Sequence, residues 1–184
     1  MTDYRRLIGR AAAVLLTLAA VAGPAVARDV TAEEREALAT TVARFDEATK
    51  AMDMTTIIGL LPPTMLNTMA TEFGLEVDAL SAAMVEQSAA AMEAVTLVSF
   101  GMDVAGASFE EAPDGMPYVL IPTETVMELG ETRIRATSDT LALLEDGAWY
   151  LLRVDPAQLE LLKKAYPNLA DVTLDPGGME AVEA

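Results

Sequence analysis

Residues 118–154 read YVLIPTETVMELGETRIRATSDTLALLEDGAWYLLRV, and their spacing decides the fold. From Tyr118 to Leu129 a period-two pattern puts Val119, Ile121, Thr123, Thr125 and Met127 on one side of a strand. Gly130 and Glu131 turn the chain into a second strand, Thr132 to Leu144. Asp146-Gly147 is a pair favoured in two-residue hairpin loops, where both central residues need positive φ. Trp149 to Val154 then returns as a third strand. Upstream, Val95 to Val104 is rich in β-branched and apolar residues, and Glu110 to Gly115 is turn chemistry. The economical reading is four strands in an antiparallel meander.

Outside this block the apolar period lengthens to that of a helix. Thr31-Ala32-Glu33-Glu34 is a capping box, and Leu38, Val42, Phe45 and Met52 then form one stripe of a helix about 20 residues long. Asp53 ends or redirects it, and Met54 to Leu61 reads as a short second helix. Pro62-Pro63 forces a break; Thr64 to Phe73 is helical again, with Gly74 as its stop. Asp78 is placed to cap a further helix through Glu93, with Leu80, Met84, Ala91 and Val95 as its buried side. After the sheet, Asp155-Pro156 supplies an N-cap and a first-turn proline for a last helix, which Pro167 stops. The fold class is therefore α+β: N-terminal helices packed on an antiparallel sheet of about four strands, with a short C-terminal helix.

The first 27 residues carry an address. Arg5 and Arg6 precede an apolar run from Ala11 to Ala22, and Pro24 comes before the small-residue exit Ala25-Val26-Ala27. That is the layout of a secretory signal peptide cleaved after Ala27, and the apolar run is short of the ~20 residues that span a bilayer. Arg5-Arg6-Leu7-Ile8-Gly9-Arg10 partly resembles a twin-arginine export signal, with Gly9 where a second apolar residue is usual. A periplasmic destination is expected, with no stable membrane anchor after cleavage. Residues 28–174 form one domain of a size that buries a core without staples, and 175–184 read as a flexible acidic tail.

Charge excludes several functions. Loss of Arg5, Arg6, Arg10 and Asp3 with the signal takes the net charge from −17 to −19. No basic residue lies between Lys50 and Arg133, where Glu72, Glu76, Asp78, Glu86, Glu93 and Asp103 accumulate. Nucleic acid and anionic lipid are excluded as partners, because both are held by Lys and Arg. Such acidity serves solubility, and its sharper reading is a cationic or basic protein partner. The chain has no His and no Cys. Ser-His-Asp and Cys-His machinery and zinc sites with N/S ligands are thereby ruled out, and no disulfide or cofactor is expected.

Two stretches carry a family likeness. Phe45-Asp46-Glu47-Ala48-Thr49-Lys50-Ala51-Met52-Asp53 is similar to a long helix ending at an Asp before a shorter one. Asp146-Gly147-Ala148-Trp149-Tyr150-Leu151-Leu152-Arg153-Val154 is similar to a "D-G-x-W" hairpin into a closing strand. Together they resemble the cone-shaped α+β fold of the nuclear transport factor two-like (cystatin-like cone) superfamily, which includes ketosteroid isomerases and polyketide cyclases. The resemblance spans about residues 31–155 and implies a curved sheet wrapped around helices, a conical pocket and a homodimer. The helix from Asp78 departs from it, standing where members often carry a short hairpin.

Three candidate sites follow. Arg133, Arg135, Thr137 and Asp139 share one face of their strand, with Glu124, Glu128 and Arg153 on neighbouring strands. They make either a polar pocket whose arginines hold a carboxylate ligand, or a solvent-side ladder of ion pairs, the commoner case. An isomerase-type site would pair Tyr118 as donor with Asp103 or Asp139 as base in a dry cavity. Met52, Met54, Met65, Met69, Met84 and Met92 suit cuprous ion or, at helix-face spacing, core filling. The leading expectation is a non-catalytic domain binding an unidentified small molecule or protein, with Tyr118, Arg133, Arg135 and Asp139 as its ligand contacts. The alternative is a His-free isomerase- or cyclase-type enzyme.

Overall fold

The Thr31 capping box forms as the sequence requires. Thr31 Oγ1 accepts from the Glu34 amide at 3.1 Å, and Glu34 Oε2 accepts from the Thr31 amide at 2.9 Å. Helix α1 (Ala32–Lys50) follows. Beyond it Met52 turns the chain at φ 54, and Asp53 caps α2 (Met54–Gly59) by accepting from the Thr56 amide and hydroxyl at 3.1 and 2.7 Å. Those two bonds hold the Asp53 carboxyl below its ordinary pKa. Helix α3 (Pro63–Phe73) starts on Pro63 and ends at Gly74, whose φ of 65 is the left-handed stop. Helix α4 (Val77–Met92) begins one residue before Asp78, and of its expected buried side only Leu80 is buried, while Ala91 is exposed.

These elements belong to a computed structural model that describes residues 30–154, 158–175 and 177–183. The expected signal peptide and its cleavage after Ala27 lie outside the described residues, as does the Asp155-Pro156 cap. Among the described residues, no helix is long and apolar enough to cross a membrane.

The sheet is curved, antiparallel and centred on one long hairpin. Strands β3 (Pro117–Leu129) and β4 (Thr132–Glu145) pair from Tyr118↔Leu143 to Leu129↔Thr132. On the outer side of β3 lie β1 (Val95–Met102) and then β2 (Ser108–Glu111). On the outer side of β4 lie β5 (Ala148–Arg153) and β6 (Gly178–Val182). The expected meander is the path β1-β3-β4-β5, and the two short strands extend it to six. Strand β6 corrects the reading of 175–184 as a flexible tail. Val182 pairs with Arg133 and Gly178 with Thr137, because the outer edge of β4 would otherwise leave backbone groups without partners. Helix α5 (Leu159–Ala165) and a 3₁₀ turn (Pro167–Leu169) stand between β5 and β6 in the chain.

The run Leu141-Ala142-Leu143 is fully buried because the sheet is covered on both faces there. On one face Tyr118, Leu141, Leu143, Leu152 and Val154 pack with Met65 of α3, Leu162 of α5, Tyr166 and Leu169. On the other, Val119, Ile121, Ala142, Trp149 and Leu151 pack under Leu38 and Val42 of α1. Trp149 Nε1 donates to the Glu34 carbonyl at 2.8 Å, tying β5 to the first turn of α1. Each fully buried Leu stabilises by about 1.5–3 kcal/mol relative to exposure. The polar half of the hairpin, beyond Asp139, lacks the cover of α5 on the first face.

Candidate functional site

Alternation along β4 brings Arg133, Arg135, Thr137 and Asp139 to that first face, opposite Glu128, Val126, Glu124 and Pro122 of β3. Arg133 reaches Glu128 Oε1 from both Nε (3.0 Å) and Nη2 (2.5 Å). Arg135 lies 3.4 Å from Glu124 and 3.2 Å from Glu180 of β6. The arginines are thus committed to a cross-strand ladder, the second of the two readings drawn from the sequence. Arg153 does not join it. It pairs with Thr140, on the opposite face, and Nε donates to Ser138 Oγ at 3.2 Å.

Below the ladder, a groove of about 590 Å³ crosses the sheet. Its floor is two cross-strand rows. Gly101, Glu124, Thr137 and Gly178 are in register across β1, β3, β4 and β6. In the next row Pro122 faces Asp139, flanked by Asp103, whose amide donates to the Pro122 carbonyl at 2.8 Å. The far wall is Asp175 and Gly177. There the chain passes so close to β4 that a Cβ on Gly177 would lie 1.7 Å from the Thr137 carbonyl oxygen. Only glycine fits, and φ of 69 also requires it.

Among the described residues, four carboxylates therefore line the groove, those of Asp103, Glu124, Asp139 and Asp175, and no lysine or arginine does. Asp103 Oδ1 accepts from the Gly106 amide at 3.0 Å, and Asp175 Oδ1 from the Gly177 amide at 2.8 Å. Burial, and then the Asp175 charge, push the Asp139 carboxyl above its ordinary pKa. Among the described residues, no group of three or more His, Cys, Asp or Glu is disposed to hold a metal ion.

Of the four residues singled out from sequence, only Asp139 lines the groove. Tyr118 lies in the core beside Leu141 and Leu143, four residues of strand from Asp139's partner Pro122, or about 13 Å. Burial and the Glu110 charge raise its pKa. Met65 is fully buried against the sheet and Met69 partly so, as core filling requires. Sequence reasoning missed Asp175 and Gly177, and the Pro176-Gly177-Gly178 run that signalled a tail was also the signal for a tight backbone crossing. No family model, no curated protein and no solved structure matches this chain.

Proposed function

We propose that this chain is an exported, non-catalytic binding domain whose cross-sheet groove takes a small cationic molecule. The observation that carries the reading is the groove's lining: four carboxylates, no basic side chain among the described residues, and a floor kept low by Gly101. A single positive charge about 4 Å from one carboxylate interacts by about 1 kcal/mol in water and about 4 kcal/mol near a protein surface. Several carboxylates in one concavity add such terms, while Arg135 offsets only Glu124. The chain's acidity then attracts the ligand over the Debye length of about 8 Å. A non-catalytic role is supported by the missing histidine and by the placement of Tyr118, the donor an isomerase would use, in the core about 13 Å of strand from Asp139.

Native mass spectrometry of the protein purified from its own host tests this. A reproducible added mass, identified as a cationic compound and lost in the Asp139→Asn/Asp175→Asn double variant, is the expected result. Bare protein, or an adduct that survives both substitutions, would overturn the reading.

A further inference from the structure

The sheet's edges are not equally protected. Natural edge strands are covered, bulged or charged with lysine, because a free row of N–H and C=O groups recruits another strand. β1 carries a bulge at Val98, where the register shifts between Leu97 and Ser99. The β5 edge is capped, since the Leu151 amide donates to the Leu60 carbonyl at 2.9 Å. β6 is short and carries Glu180, but it has neither a bulge nor a cover among the described residues. It pairs with β4 in unbroken register, contains no proline or lysine, and has no neighbour on its other side among the described residues. Met179, in register with Ala136 of β4, stands on it 78% exposed.

We infer that the outer edge of β6 receives an extended, basic segment of another protein as a seventh strand. Charge selects the occupant. From Ala165 to the end of the sequence there is no Lys or Arg, while Asp171 and Asp175 precede the strand, Glu180 lies on it and Glu183 follows it. A second copy of this chain would bring the same carboxylates against themselves. A basic segment would complement them, and its ladder bonds would supply affinity while alternate side chains supply selectivity. Five residues of β6 span about 17 Å, so five to seven residues of partner suffice. One set of its side chains, apolar, lies beside Met179 and Ala181. The other set, Lys or Arg, lies on the Glu180 side. The outer edge of β6 faces away from β4, and Asp175 is the one carboxylate common to the groove and to the charge beside this edge.

The test uses protein purified from its host and a labelled octapeptide of alternating lysine and valine, capped at both ends. The comparison is the same peptide N-methylated at its valine amides, which keeps every charge but removes one row of ladder donors. Fluorescence anisotropy at physiological salt is expected to show at least tenfold weaker binding of the methylated peptide. Hydrogen exchange is expected to show added protection at residues 179–182 with the unmethylated peptide alone. Equal affinities would mean attraction by charge only and would overturn the inference. So would a β6 edge already protected in the peptide-free protein by dimerisation, since the occupant would then be a second copy.

Discussion

Tyr166→Phe isolates one buried fastening of this fold. The hydroxyl donates to Glu145 Oε1, while Glu145 Oε2 accepts from the Thr64 amide at 3.2 Å and its hydroxyl at 2.9 Å. One carboxylate thus joins the end of β4, the start of α3 and the residue after α5. Tyr166 is only 5% exposed, so water cannot replace the lost bond, and phenylalanine fills the ring's space without leaving a cavity. A hydrogen bond to a charged group contributes about 1.5–3 kcal/mol, and we expect a loss of about 2 kcal/mol in urea unfolding at pH 7. For a domain of this length that lowers Tm by about 4–8 °C. Burial first, then the Glu145 bond and charge, raise the Tyr166 pKa far above the usual value near 10. The folded state therefore holds this proton more tightly than the unfolded state. Stabilisation is complete below pH 10 and lost as pH rises above it. Tyr166→Phe should flatten that alkaline decline, leaving the smaller part due to Tyr118. A loss under about 0.5 kcal/mol, or an unchanged alkaline slope, would refute the reasoning.

Two further outcomes are expected. Gly177→Ala should free β6 without unfolding the domain, since the new Cβ meets the Thr137 backbone and β6 is mostly exposed. Amide exchange of 178–182 should accelerate at least tenfold while Tm falls by less than about 2 °C, and unchanged exchange would contradict the crossing described. Asp139→Asn should raise stability at pH 7 by up to about 1 kcal/mol, the scale of a partly exposed charge pair. Its raised pKa means the folded state favours the protonated acid, so stability is present below the ordinary value near 4 and lost as pH rises through the folded pKa. The benefit of Asn should therefore vanish in acid unfolding below pH 4.

The elements legible in the sequence are those whose local chemistry and burial agree. The Thr31 box, the Gly74 stop and the Asp146-Gly147 turn each name a backbone conformation, and β3 and β4 follow from the residues between turns. β2 was hidden because Glu110 and Glu111 read as turn while pairing with Tyr118 and Pro117. β6 was hidden because Gly178-Met179-Glu180-Ala181-Val182 has no strong alternation, and its pairing depends on an edge supplied by distant residues. Alternation predicted the Arg133–Asp139 face, but the face alone could not set the register that commits both arginines to Glu128, Glu124 and Glu180. Arg153 shows the limit from the other side, since one step of register places it on the opposite face, beside Thr140. The groove was half legible: Asp139 by its strand position, Asp175 not, because the Pro-Gly-Gly run beside it fits a loose end as well as a tight crossing.

Burial of Leu141-Ala142-Leu143 on both faces has a cost before folding is complete. Unpaired, Thr140 to Leu144 is a short, uncharged, proline-free and mostly apolar segment, open to association between chains. It is bounded by Asp139 on one side and by Glu145-Asp146 on the other. Those carboxylates act as gatekeepers, keeping newly made chains apart until α1 and α5 close over the strand.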